Sequence, residues 1–365
     1  MSTYLHAIQT WNPEKVYTQA EASREVEAQF DDKRTRRILR HIYRHTDIQK
    51  RHTAVGDFGR QDDAALFHDR GDGTWDNPGT GDRNKLFAEV SKSASVELAQ
   101  KTLAAAQGFE AGDITHVITA SCTGSYSPGP EFHITRGLGL SDTVERFHLG
   151  FMGCFAAFPA MRMADQICKA NPDAVVLIQC LELCSLHLQL DTDHEEALVS
   201  GALFADGAGC ALVSARPPTE GAPGYRIRSL ATTLTPTGED SMAWNVGNHG
   251  YEIVLSSYVP HILGENIRAG FLPRLKEAGW EMKDIDFWAV HPGGKSILDR
   301  IEEALELSDA ALDIPRAVLR DFGNMSSATM FFLLEQGLTE ANGDRTAALA
   351  FGPGLTVEMG FLERL

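Results

Sequence analysis

The 365-residue sequence contains no run of about 18 apolar residues, no low-complexity tract, and no basic region followed by an apolar stretch behind Met1-Ser2-Thr3-Tyr4-Leu5. These absences argue against membrane insertion and export, so a cytoplasmic protein is expected. Basic residues are in deficit, 33 against 50 acidic, and the formal net charge is −17. That balance sets aside general binding to nucleic acid or anionic membranes. Cysteine is present six times (Cys122, Cys154, Cys168, Cys180, Cys184 and Cys210), with no Cys-x-x-Cys and no even ladder of spacings. Free thiols in a reducing compartment are therefore expected, with no disulfide framework and no metal site.

What remains is a chain able to bury a large core, 43% of it hydrophobic, as one large domain or two intimately packed halves. Eight basic side chains fall within 19 residues, from Lys33 to Arg51, on a helix and the turn after it. Such a run usually forms a solvated face paired with neighbouring acids, here Glu25, Glu27, Asp31 and Asp32. It also fits a local landing site for a polyanion on an otherwise acidic protein. From Thr53 to Gly81, Gly and Asp are frequent and periodicity is weak, which predicts a long surface excursion. Asp82 is a candidate cap for a helix over 83–106, with Leu86, Val90, Ala94, Val96, Leu98 and Leu103 turned inward.

Farther on, strands are expected over 113–120, 144–149, 173–181 and 203–213, with an acidic loop (Asp191, Asp193, Glu195, Glu196) and a short helix before the last. Arg216 to Gly224 is a Pro- and Gly-bearing connector and divides the chain into 1–220 and 221–365. The order then recurs: strand 225–232, helix 256–278, strand 286–290, helices 295–305 and 325–337, strands 346–351 and 355–358. The alternation predicts an α/β fold with a mainly parallel sheet and two successive halves of similar element order.

Three polar residues stand at turns that open helices. Cys154 follows the strand ending in His148-Leu149-Gly150, where Gly150 and Gly153 permit a sharp turn, and an Ala- and Met-rich helix runs on to about Lys169. A sulfur at a helix start faces unpaired N–H groups and the positive end of the dipole, which favours a thiolate. A lone cysteine equally fits a core as a small hydrophobe. His291 ends the strand Asp286-Phe287-Trp288-Ala289-Val290, beside Gly293 and Gly294, and a satisfied core histidine is the plainer reading. Asn324, at the start of another helix, would ordinarily be an N-cap. Together, a Cys, a His and an Asn on three αβ units make one shared site for nucleophilic catalysis.

Gly153-Cys154-Phe155-Ala156, His291-Pro292-Gly293-Gly294, Gly323-Asn324-Met325-Ser326-Ser327-Ala328 and Phe351-Gly352-Pro353-Gly354-Leu355-Thr356-Val357-Glu358 resemble the type III polyketide synthases, the chalcone-synthase-like branch of the thiolase superfamily. The resemblance covers most of the chain from about residue 110. It implies a duplicated thiolase fold, layered αβαβα, a homodimer, and an acyltransferase using an acyl-CoA starter and malonyl-CoA with no permanently bound cofactor. Cys154 would carry the acyl group; His291 would hold it as a thiolate and, with Asn324, polarise the thioester carbonyl. Phe204 would be one of two gatekeepers, and Ile253, with Tyr251 close by, would occupy the place of the second.

The same resemblance puts Cys122, Thr123, Cys184, His187, Ser326, Gly352 and Pro353 on the cavity wall. Trp244 falls where plant members carry a small glycine, which would narrow or redirect the cavity. Cys122, in place of a threonine, looks bacterial. Arg44 would contact coenzyme A, with Lys50 and Arg51 as further contacts. Two other enzyme readings compete: a single-condensation ketosynthase of the same superfamily, and a Cys-His-Asn hydrolase, which the 137-residue separation of Cys154 and His291 also suits. A non-catalytic acyl-binding relative would have no need for all three polar residues.

Overall fold

The structure, a computed structural model, describes residues 2–56, 66–68, 70–190, 192 and 194–365. Residues 57–65 and 69 of the Gly- and Asp-rich stretch, and Asp191 and Asp193 of the acidic loop, lie outside the described residues. The first half contains β1 (Thr3–Trp11), β2 (Val16–Thr18), α1 (Gln19–Glu27), α2 (Lys33–Arg44), β3 (Lys50–His52), α3 (Thr80–Ala105), β4 (His116–Ser121), α4 (Pro130–Gly137), β5 (Glu145–Gly150), α5 (Ala157–Ala170), β6 (Val175–Leu183), α6 (Glu195–Leu203) and β7 (Asp206–Ser214). The second contains β8 (Tyr225–Leu234), β9 (Met242–Gly247), β10 (Gly250–Leu255), α7 (Val259–Glu277), β11 (Phe287–Val290), α8 (Lys295–Leu305), α9 (Asp313–Phe322), α10 (Thr329–Glu340), β12 (Arg345–Gly352) and β13 (Thr356–Arg364).

Nine strands join in the order β11-β12-β13-β8-β1-β7-β6-β4-β5. The order mirrors itself about the contact between β1 and β8: β7, β6 and β4 correspond to β13, β12 and β11, and β5 is the extra edge strand. Strands β6 and β7 are buried at every position, as apolar runs covered on both faces should be. Alternate residues feed different cores. Ile118, Val176, Ile178, Ala211, Ala348 and Ala350 face a central layer built from α5 and α10. Val117, Leu177 and Leu212 face α3, whereas Trp288, Leu349 and Phe361 face α7 and α8. Helix, sheet, helix, sheet and helix follow one another, the duplicated thiolase arrangement.

The sheet is mixed rather than mainly parallel. Only β4/β5, β4/β6 and β11/β12 run parallel; β1/β7, β1/β8, β6/β7, β12/β13 and β8/β13 are antiparallel. The three-residue turn Pro353–Leu355 is too short for a crossover, so β13 must return antiparallel to β12. Helix α6, between β6 and β7, packs on α1, α2 and β10, and so makes no crossover over the sheet.

Helix α3 starts at Thr80 behind Gly79, so Asp82 lies in its first turn instead of capping it. Its buried face, Phe87, Ser91, Ala94, Ser95, Leu98 and Thr102, is rotated from the expected one because small polar residues are tucked against the core. The preceding stretch is also less peripheral than composition suggests: Val55, Phe67 and Trp75 are buried. Glu195 and Glu196 belong to the first turn of α6, not to a loop. The hairpin β9–β10 and helix α9 were not expected from sequence.

Candidate active site

The turn carrying Cys154 is tight for reasons visible in its backbone. Phe151 and Gly153 hold left-handed conformations at φ 55° and φ 86°, so Phe151, and not Gly150, shares the turn with Gly153. A Cβ at Gly153 would stand 2.2 Å from Pro353 Cδ, which leaves glycine as the residue that fits there. Cys154 lies three residues ahead of α5, whose cap, Ala156, offers no side-chain hydrogen bond.

Burial pushes the Cys154 thiol up to about 12, with Ser326 and Asn324 pulling it back through hydrogen bonds and the nearby Glu182 carboxylate raising it further. The helix start therefore does not by itself yield the thiolate expected from sequence: desolvation outweighs a dipole that begins one turn downstream. His291, on the residue after β11, is 1% exposed, and neither ring nitrogen has a hydrogen-bond partner. Burial lowers it to about 3. Each charged form is unfavourable alone, but a proton passing from sulfur to imidazole leaves the pair neutral overall and creates opposite charges that attract strongly in a dry site.

Asn324 is fixed at both ends of its amide. Its Oδ1 accepts from the Ser326 backbone N–H at 2.8 Å, and its Nδ2 donates to the Gly293 carbonyl at 3.2 Å. The other Nδ2 proton is turned to the cavity, toward the Cys154 sulfur. The backbone is pinned too, because Asn324 N–H donates to Leu203 O at 3.0 Å and Ala205 N–H to Asn324 O at 2.9 Å. Asn324 is thus no N-cap of α10, whose first residue is Thr329 behind Ala328.

Cys154, His291 and Asn324 line one cavity of about 310 Å³ together with Cys122, Thr123, Cys184, Phe204, Trp244, Ile253, Ser326 and Pro353. Two expected wall residues are elsewhere. Gly352 packs against Phe155 under the Cys154 turn, and His187 lines a neighbouring cavity. His187 is held there because its Nε2 donates to Thr123 O at 2.7 Å and its Nδ1 accepts from Tyr251 N–H at 2.9 Å. Of the basic trio, Arg44 and Lys50 are exposed. Arg51 points inward and donates to Gln19 Oε1 (3.0 Å), Gly201 O (2.8 Å) and Phe204 O (2.7 Å). This corrects its expected role toward coenzyme A, since three of its five N–H donors, on Nε and Nη1, are given to an amide oxygen and two carbonyls of the protein.

Glu182 was missed. Fully buried on β6, it accepts from Cys122 N–H (3.0 Å), Thr123 Oγ1 (2.8 Å) and Ser327 Oγ (2.5 Å), and lies 3.3 Å from Cys122 Sγ. Cys122 Sγ in turn meets Ser326 Oγ at 3.4 Å, so a polar chain runs from Glu182 toward Cys154. The sequence signal was one acid in the otherwise uncharged run Val175–Leu183. All six cysteines are free, and all but Cys154 are buried. No group of three or more metal-ligating side chains occurs among the described residues, nor is any helix there long and apolar enough to cross a membrane.

Sequence profiles of the chalcone and stilbene synthases match the chain twice, the N-terminal domain over residues 2–217 and the C-terminal domain over 226–365. "Alpha-pyrone synthesis polyketide synthase-like Pks18" of Mycobacterium tuberculosis is 30% identical over 366 residues, covering 97% of this chain and 89% of that protein. A "Probable polyketide synthase 1" of Dictyostelium discoideum is 30% identical over 344 residues, 92% of this chain, which spans only 11% of that protein. Among solved structures, 1,3,6,8-tetrahydroxynaphthalene synthase from Streptomyces coelicolor A3(2), a bacterial type III polyketide synthase, is 28% identical with a TM-score of 0.85, covering 99% of both chains. PKS-I from the brown alga Ectocarpus siliculosus is 28% identical with a TM-score of 0.90, covering 100% of this chain and 98% of the other.

Proposed function

Because the chain belongs to the chalcone and stilbene synthase family, the type III polyketide synthases, we propose that Cys154 takes an acyl group from a starter CoA and that iterative condensation with malonyl-CoA extends it. The observation that supports this most is the meeting, in one cavity, of a thiol, an imidazole with two unpartnered nitrogens and an amide with one proton turned to the thiol.

The steps follow from these groups. His291 takes the Cys154 proton, and sulfur attacks the thioester carbonyl. The C–S bond to coenzyme A breaks and the departing thiolate recovers the proton. Malonyl-CoA then occupies the cavity with its thioester oxygen at Asn324 Nδ2 and His291. As CO₂ leaves, the electron pair of the broken C–C bond passes to that oxygen as an enolate, and two donors of this kind contribute about 2.7–4 kcal/mol each. The enolate carbon attacks the Cys154 acyl thioester, which restores the Cys154 thiolate and leaves the extended chain on CoA to reload. Closure to a pyrone, resorcinol or related phenolic completes the cycle, which uses no permanently bound cofactor.

Phe204 and Ile253 act as gatekeepers, and Arg44 and Lys50 meet the CoA phosphates. The two halves are 1–220 and 221–365, and the enzyme works in the cytoplasm as a homodimer. Its edge strand β5 and the 40%-exposed Phe151 after it offer a surface for a second copy.

Mass spectrometry of the intact protein and its products, after incubation with malonyl-CoA and a panel of acyl-CoAs, tests the proposal. An adduct on Cys154 with products extended by two or more malonyl units is expected. One condensation only would indicate a single-step ketosynthase, and no adduct from any thioester would remove Cys154 from the chemistry.

A further inference from the structure

Arg51, on the short strand β3, turns inward, and the backbone it grips runs directly behind the catalytic cavity. Helix α6 ends at Leu203, where the last carbonyls have no partner within the helix. Side chains take them up: Gly201 O accepts from Arg51 Nη1 at 2.8 Å and from the Tyr43 hydroxyl at 3.0 Å, Ala202 O from Gln19 Nε2 at 2.8 Å, and Phe204 O from Arg51 Nη1 at 2.7 Å. A guanidinium is also favoured at the negative end of a helix dipole. Gln19, itself buried, braces the arginine by accepting from its Nε at 3.0 Å.

Asn324 is joined to this same stretch of chain. It forms a parallel bridge with Phe204, in which Asn324 N–H donates to Leu203 O and Ala205 N–H to Asn324 O. On the other side the Arg51 stem lies against Gly323, where a Cβ would stand 3.0 Å from Arg51 Cγ, 3.1 Å from Arg51 Cδ and 3.1 Å from Leu203 O. Gly323 has φ 74°, so the turn into Asn324 favours glycine by conformation and by contact. The flanks of Arg51 are tied to the same turn: Gln49 N–H donates to Arg320 O at 2.8 Å, and His52 stacks on Phe322 at 5.9 Å. Because both backbone groups of Asn324 are spent on the Leu203–Ala205 stretch, a shift of the Phe204 carbonyl carries the Asn324 amide with it.

We propose that Arg51 is a positioning residue for decarboxylation of malonyl-CoA: it fixes the 201–205 backbone and, through it, holds the Asn324 amide where the thioester oxygen arrives. The proposal rests on Asn324 being that donor. None of the Arg51 hydrogen bonds reaches Cys154, His291 or the Asn324 side chain, so its effect on the reaction passes through the backbone.

The test is steady-state decarboxylation of malonyl-CoA by Arg51→Met, Asn324→Ala and the double variant, with the folding of each checked by urea denaturation. Methionine keeps an unbranched stem beside Gly323 and removes every donor. In Arg51→Met, kcat should fall roughly 10- to 100-fold with KM within about twofold of wild type, as expected when a donor felt in the transition state is misplaced. The double variant should be no slower than Asn324→Ala alone, because no amide is left to position. A kcat within about twofold of wild type in folded Arg51→Met overturns the proposal, as does a raised KM at unchanged kcat, which would return Arg51 to the coenzyme. Full additivity in the double variant also overturns it, and would make Arg51 a general support of the fold. If Arg51→Met does not fold, Arg51→Lys, which keeps the stem and the charge, is read by the same cycle. A wild-type rate in Asn324→Ala would instead sink the reading of Asn324, and the positioning role with it.

Discussion

Replacing Asn324 by alanine separates two functions of one amide. Its Nδ2 donates to Gly293 O and keeps one proton for the cavity, while its Oδ1 holds the Ser326 N–H. Loss of the cavity donor should slow decarboxylation of malonyl-CoA by about 10²–10³, the usual cost of one oxyanion donor. Loss of the Oδ1 acceptor strands a buried N–H, so the fold should weaken by about 1–3 kcal/mol. Aspartate at 324 keeps the acceptor and lacks the donor, so Asn324→Asp should match alanine in decarboxylation at neutral pH while weakening the fold less at Ser326. The assay is CO₂ release from malonyl-CoA without starter, paired with urea denaturation of each variant. Decarboxylation in Asn324→Ala within about threefold of wild type would refute the role of the cavity-facing Nδ2 proton.

Under native conditions, substoichiometric iodoacetamide should label Cys154 ahead of the other five cysteines, because all but Cys154 are buried; peptide mapping reads the order. His291→Ala should remove the second donor and slow decarboxylation by a similar 10²–10³, and a wild-type rate would contradict its assignment. His187 is held near 4 by burial, below its ordinary 6.5, so the unfolded chain takes up a proton that the native one refuses as pH falls. Its share of stability is present above 6.5 and is lost as pH falls toward about 4. His187→Gln should therefore flatten denaturation free energy against pH by up to about 1.4 kcal/mol per pH unit in that window, and an unchanged slope would show that the buried ring is not the cause. Trp244→Ala should join the catalytic cavity to the neighbouring one, since Trp244 lines both, and shift products toward longer chains, read by chromatography; an unchanged product profile would contradict Trp244 as the wall between them.

The convergence of Cys154, His291 and Asn324 on one cavity was legible because each sits where a strand or helix stops and a glycine follows or precedes it: Gly153 before Cys154, Gly293 after His291, Gly323 before Asn324. Local pattern records such turns. Strand direction was not legible, since the same alternation of elements allows α6 to pack on α1, α2 and β10 instead of crossing over the sheet. Arg51 misled for a related reason: a count of basic residues does not show that one of them turns inward toward Gly201 and Phe204. Glu182 escaped because its neighbours Cys122, Thr123 and Ser327 reach it only after three distant segments have packed.

The clasp between Gly153 and Pro353 makes the chain's two ends of ancestry interdependent. Cys154 comes from the first repeat and His291 and Asn324 from the second, and the turn that presents Cys154 is pressed against the last loop of the other repeat. Neither repeat can drift at this seam without a matching change in its mate, so positions 153 and 353 should vary jointly among descendants. A chain cut in the 216–224 connector would likewise yield two inert pieces whose condensing activity reappears only on co-expression, and activity in either piece alone would contradict this.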